Sequence, residues 1–129
     1  MDPEKKARIL LVDDEAALTK LMQTYLGRIG YSVDTALNAT SALALFQNGP
    51  AEYNLLVADV TLPDMSGQDM AVRMVQLNKQ LRVLLCSGYP TAVDALPLEV
   101  QENFDVLQKP FLPNMLAKSI EELLNREIG

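Results

Sequence analysis

Arg8-Ile9-Leu10-Leu11-Val12-Asp13-Asp14-Glu15 is an apolar run that ends abruptly on three acids. Later runs have the same form. Leu55-Leu56-Val57-Ala58 ends on Asp59, Val83-Leu84-Leu85-Cys86 ends on Ser87, and Val106-Leu107-Gln108 ends on Lys109. A short apolar run bounded by helix-like segments reads as a strand buried on both faces, the kind found in parallel sheets. In an open parallel sheet the carboxyl ends of the strands face one crevice, where ligands bind. Polar groups far apart in the sequence are therefore expected to meet at one edge of the fold.

The segments between the runs carry helical spacing. Leu18, Leu21, Met22, Tyr25, Leu26 and Ile29 fall on one face of a first helix, whose end Gly27 and Gly30 mark. Tyr31 to Ala36 is expected as a strand, and Asn38 or Thr40 as the cap of a second helix carrying Leu43 and Phe46. Gly49-Pro50 stops that helix. A third strand runs from Asn54 to Asp59, with a loop from Val60 to Gly67 behind it. Gln68 to Asn78 then carries Ala71, Met74 and Val75 on one helical face.

Arg82 to Cys86 is the fourth strand and Asp105 to Gln108 the fifth. Thr91 to Gln101 should hold the helix between them, short or broken because Pro97 removes a hydrogen bond and crowds the preceding turn. Pro113 suits the first turn of a last helix, with Leu116, Ile120, Leu123 and Leu124 facing inward. Strands alternating with helices, joined by right-handed crossovers, give a parallel sheet covered on both faces. The expectation is one α/β domain over residues 1–129.

The bulk composition narrows the function. A net charge of −6 argues against a nucleic-acid surface, which needs clustered Lys and Arg. No apolar stretch approaches the roughly 20 residues that span a bilayer, and Met1 to Lys6 lacks the apolar core of a signal peptide. The single cysteine, Cys86, lies in an apolar run and reads as a core residue; a reducing, cytoplasmic setting is the expectation. Histidine is absent, which removes the usual general base and the commonest transition-metal ligand. Chemistry here has to run on oxygen atoms and a lysine.

Each strand-end residue has two readings. Asp13, Asp14 and Glu15 either cap the first helix or, for the two aspartates, hold a hard cation such as Mg²⁺, which takes carboxylates, waters and phosphate oxygens. Asp59 is either a turn former or a nucleophile that forms an aspartyl phosphate. Ser87 either begins the Ser-Gly turn or donates to a phosphoryl oxygen, and Lys109 is either a solvated surface lysine or a point charge holding phosphate. Their shared position at successive strand ends favours the second reading of each.

Val12-Asp13-Asp14-Glu15, then Asp59 with Pro63 and Gly67, then Ser87-Gly88, then Lys109-Pro110-Phe111 resembles the receiver domain of two-component response regulators. The resemblance covers essentially the whole chain. It implies a doubly wound, flavodoxin-like sheet of order 2-1-3-4-5. It also implies that Asp59 is the phosphoacceptor, that Asp13, Asp14, Asp59 and the backbone carbonyl of Thr61 hold Mg²⁺, and that Ser87 and Lys109 engage the phosphoryl group. Gly88 leaves room beside Ser87.

Such a domain is not an enzyme acting on other substrates; it catalyses only its own phosphorylation and dephosphorylation. The implied partners are a histidine kinase or histidine phosphotransfer domain upstream, and a protein partner or fused domain downstream, without nucleic-acid or membrane contact. Cys86-Ser87-Gly88-Tyr89-Pro90 and Leu107 to Phe111 look like receivers attached to hybrid histidine kinases. One position departs from the family: Val106 stands where an aromatic residue usually precedes the lysine by three.

Three rival readings meet obstacles in the same residues. A receiver fold serving only as a protein-interaction module would not need the intact acids, hydroxyl and lysine. A phosphohydrolase of the haloacid dehalogenase type would need an aspartate two residues after Asp59, where Thr61 stands. A flavin-binding flavodoxin-like protein would need a phosphate loop after the first strand, where Asp13-Asp14-Glu15 would repel it.

Overall fold

The structure, a computed structural model, describes residues 6–128. The outer residues of the expected 1–129 domain, and most of the stretch read as lacking a signal peptide, lie outside the described residues. Five strands form one parallel sheet: β1 (Arg8–Val12), β2 (Ser32–Ala36), β3 (Leu55–Asp59), β4 (Arg82–Ser87) and β5 (Phe104–Gln108), in the order β2-β1-β3-β4-β5. Four α-helices cover it: α1 (Ala16–Arg28), α2 (Ala39–Gln47), α3 (Gly67–Leu77) and α4 (Pro113–Leu124).

Alternation along the strands divides the core into two layers, because successive side chains point to opposite faces. Leu10 and Val12 of β1 pack with Phe46 of α2 and Met70 and Met74 of α3. Ile9 and Leu11 pack on the other face with Met22 and Leu26 of α1 and Leu116, Ile120 and Leu123 of α4. A strand with both faces covered has no polar positions to spare until it reaches the sheet edge. This is why the acids begin where the apolar runs stop.

The helix ends follow local chemistry. The Asn38 side chain accepts a hydrogen bond from the Ser41 amide at 2.8 Å and so caps α2, leaving Thr40 in its first turn. Ser66 caps α3 in the same way, accepting from the Asp69 amide at 3.1 Å. α1 closes with Gly30 at φ 110°, where the Gly30 amide reaches the Gly27 carbonyl and the Tyr31 amide reaches Leu26. That bonding pattern satisfies the last carbonyls of the helix and requires the left-handed conformation glycine adopts freely. Gly27, read as a helix end, is inside α1.

One further expectation is corrected and one is made specific. Leu21, assigned to the buried face of α1, is 61% exposed, while Thr19 is buried and turns its hydroxyl onto the Asp13 and Glu15 carbonyls. The segment from Thr91 to Gln101 forms no α-helix. Two 3-10 turns, Val93–Ala95 and Leu98–Asn103, take its place, with Pro97 extended between them. Without an amide proton Pro97 cannot continue a ladder, so Gln101 ties the break together through its side-chain amide on the Leu96 carbonyl at 2.9 Å.

Candidate functional site

The carboxyl ends of β1, β3, β4 and β5 converge as the strand pattern predicts. One carboxylate oxygen from each of Asp13, Asp14 and Asp59 can be chosen so that all lie within 4.8 Å of one another. Lys109 Nζ sits among them, 2.8 Å from Asp59 Oδ2 and 3.3 Å from Asp13 Oδ2. The plain reading of Lys109 as a solvated surface lysine is therefore excluded. Burial works against its charge, but the hydrogen bond to Asp59 and the nearby Asp13 outweigh that and hold its pKa above the ordinary value.

The remaining bonds orient the acids. The Glu15 amide donates to Asp13 Oδ1 at 2.9 Å, and the Thr61 amide donates to Asp59 Oδ1 at 3.0 Å. Glu15 occupies the N-cap position of α1, yet its own side chain makes no capping bond. Asp13 is buried, Asp59 half-buried and Asp14 exposed, so the cluster opens outward on the Asp14 side.

Three carboxylates against one ammonium leave the crevice with two net negative charges. An oxygen-only donor set of that charge suits a hard divalent cation, and Mg²⁺ in particular, which fills its remaining positions with water or phosphate oxygens. Thr61 also bridges to Ser66 across the loop that follows β3.

The β3–α3 connection is held tightly beneath Asp59. The Gly67 amide donates to the Val60 carbonyl at 2.8 Å. A side chain at Gly67 would put its Cβ 2.1 Å from the Asp59 carbonyl oxygen, so the start of α3 presses on the backbone of the central acid.

Ser87 is fully buried, and its hydroxyl is taken up by the turn that follows β4. Its hydroxyl donates to the Tyr89 carbonyl at 2.5 Å and accepts from the Tyr89 amide at 3.2 Å and from the Thr91 hydroxyl at 2.8 Å. In this arrangement it does organise the turn, as the plainer reading held. Its backbone ties the sheet edge together, since the Lys109 amide donates to the Ser87 carbonyl at 2.7 Å. A Cβ at Gly88 would meet no atom within 4 Å, so the space beside Ser87 is open. Val106 is half-buried and packs against the core beneath α2 and α3. Cys86 is a core residue as expected, its thiol pushed up to about 12 by burial.

Two residues escaped the sequence reading. Asp64, in the loop after β3, accepts from the Ala39 and Thr40 amides at 2.9 Å each and from the Thr40 hydroxyl at 2.6 Å, which couples that loop to the start of α2. Those bonds hold its carboxyl at about 2. Thr91 is the other, through its bond to Ser87. No local signal marks Asp64, whose partners are 24 and 25 residues away; for Thr91, a hydroxyl four residues after Ser87 was the available hint.

Comparison with known proteins places this geometry among relatives. The sequence model of the response regulator receiver domain family matches residues 9–121. The chain is 30% identical over 119 residues to the DNA-binding transcriptional regulator NtrC of Azospirillum brasilense, covering 92% of this chain and 24% of that protein. It is 29% identical over 126 residues to the sensor kinase CckA of Brucella abortus, covering 98% of this chain and 13% of that one. The chain thus spans a minor part of either relative. Among solved structures, a response regulator receiver domain protein from Clostridium thermocellum superimposes with a TM-score of 0.81 at 25% identity, over 94% of this chain and 96% of that one.

Proposed function

From the premise that this chain belongs to the response regulator receiver domain family, we propose that it accepts a phosphoryl group on Asp59 from a phosphohistidine donor, with Mg²⁺ bound. The carrying observation is the convergence of Asp13, Asp14 and Asp59 around Lys109 at the sheet edge. Asp13, Asp14 and Asp59, with the Thr61 carbonyl, are the ligands we assign to Mg²⁺, which when bound neutralises charge on the phosphoryl oxygens.

In the transfer, an Asp59 carboxylate oxygen attacks phosphorus in line, forming a P–O bond as the donor's P–N bond breaks. The donor imidazole nitrogen keeps the electron pair and takes its proton from water. Thr61 holds the carboxylate in orientation through its amide, and Lys109 exchanges its bond to Asp59 for one to a phosphoryl oxygen, offsetting the charge that develops there. The absence of histidine from this chain means that the phosphoryl group comes from another domain or protein, or from a small acyl phosphate.

The product is an acyl phosphate that water hydrolyses, so the signal is timed. Its new dianion attracts hydroxyl and ammonium donors, which biases the loops that carry them. The proposed partners are a histidine kinase or histidine phosphotransfer domain on the donor side and a protein or fused domain on the output side.

Intact mass after incubation with acetyl phosphate and Mg²⁺ tests the proposal. One added phosphoryl group, lost in Asp59→Asn, is expected. No gain with several donors, or a gain that survives Asp59→Asn, sinks the assignment; the first outcome would leave the interaction-module reading.

A further inference from the structure

We infer that Thr91 is a positioning residue that latches Ser87 in its resting orientation. The inference rests on the phosphoacceptor reading of Asp59. A hydroxyl has one proton and two acceptor sites. In Ser87 all are in use: the proton on the Tyr89 carbonyl, the acceptor sites filled by the Tyr89 amide and the Thr91 hydroxyl. Ser87 cannot offer its proton to a phosphoryl oxygen on Asp59 without breaking this set.

The two groups stranded by that movement already face each other. The Thr91 hydroxyl lies 3.3 Å from the Tyr89 carbonyl, so it can take over the acceptor that Ser87 leaves. The exchange is not symmetrical for solvent. Ser87 is fully buried, and no water replaces Thr91 on it; the bond from Thr91 to the Tyr89 carbonyl is exposed, and water can satisfy that carbonyl. Thr91 therefore adds more to the resting arrangement than to the switched one. Removing its hydroxyl releases Ser87.

The consequence reaches the surface. Tyr89, Ala92 and Leu96 form one wall of a groove of about 680 Å³, and Val72 and Arg73 of α3 form the other. Release of the latch frees the end of that wall anchored on Ser87. The route needs no aromatic on β5: Val106, paired with Leu85, has no polar group to take part.

The test is a titration of the full chain with beryllofluoride, a tetrahedral phosphoryl analogue, at saturating Mg²⁺, following the backbone amide resonances of Tyr89 and Thr91. One net hydrogen bond lost from the resting form alone corresponds to a factor of about five in the equilibrium. Thr91→Val is expected to reach half-saturation at about fivefold lower concentration than wild type, while Thr91→Ser, which keeps the hydroxyl, matches wild type. A Thr91→Val half-saturation equal to wild type overturns the latch alone, as does an equal shift in both variants. A wild-type chain that neither responds to beryllofluoride nor gains mass with acetyl phosphate overturns the phosphoacceptor reading and the latch with it.

Discussion

Gly67→Ala is the substitution on which the structure and local propensity disagree in sign. In the first turn of a helix, replacing glycine by alanine ordinarily stabilises by about 0.4–1 kcal/mol, because the unfolded chain loses freedom. Here the added Cβ would lie 2.1 Å from the Asp59 carbonyl oxygen, 2.9 Å from its carbonyl carbon and 3.0 Å from Val60 Cα. All three atoms are backbone, so no side chain can rotate aside. Opening the shortest contact to an ordinary separation of about 3.5 Å takes roughly 1.4 Å of backbone movement.

That movement also pulls on the Gly67 amide bond to Val60. Overpacking costs about 1–3 kcal/mol, and a strained hydrogen bond about 1 more. After the propensity gain is set against these, the expected net loss is about 1–3.5 kcal/mol. For a chain of this length that lowers the melting temperature by about 4–13 °C. Because a reacting group moved by about 1 Å costs on the order of 100-fold in rate, phosphorylation of Asp59 by acetyl phosphate should slow by at least tenfold. Urea unfolding and the time course of mass gain measure the two effects. A variant as stable as wild type or more so would refute the close approach of α3 to the Asp59 backbone.

Asp64→Ala should lower the melting temperature by leaving the Ala39 and Thr40 amides at the start of α2 without their acceptor. The Asp64 carboxyl lies at about 2 in the fold against 3.8 ordinarily, so its contribution is present above pH 3.8 and is lost as pH falls through about 2. The difference in melting temperature between variant and wild type should therefore close across that window; a gap unchanged down to pH 2 would refute the ionic cap. Lys109→Ala should destabilise the metal-free chain by about 2 kcal/mol, since it leaves the buried Asp13 beside Asp59 without a cation. Saturating Mg²⁺ should recover most of that loss in urea unfolding, and a deficit indifferent to Mg²⁺ would count against a cation at the acids. Tyr53→Phe should cost about 1 kcal/mol by removing the 2.6 Å bond to Asp34. Burial, with that bond, pushes the Tyr53 phenol up to about 12 from 10.0, so wild-type stability falls as pH rises from about 10 to 12; the variant should show a shallower alkaline decline in its melting temperature.

The sheet was legible because its central strands β1, β3 and β4 are covered on both faces. Burial on both sides removes polar residues from Ile9–Val12 and Leu55–Ala58, and the first polar residue then marks the sheet edge. Asp13, Asp14, Asp59 and Lys109 were readable as one site for that reason: parallel strands end on the same side, so strand-end residues need no long-range information to be brought together. Helix faces were less secure. Leu21 fits the spacing but lies outside the stripe that faces the sheet, because hydropathy does not define how far that stripe extends.

By itself the sequence determined the α/β class, the strand ends and the residues gathered there, since these follow from local periodicity and the handedness of crossovers. It also located the interruption at Pro97, a backbone effect of one residue. Only the tertiary structure decided that the interrupted segment forms 3-10 turns, that Asp64 caps a helix 25 residues upstream, and that Gly67 bears on the Asp59 backbone. The same holds for the closed hydrogen-bond set of Ser87, Tyr89 and Thr91. These features depend on the distance and angle at which one loop meets another. Loop side chains have no period to register that geometry, so the assembled fold alone specifies which of their polar atoms meet.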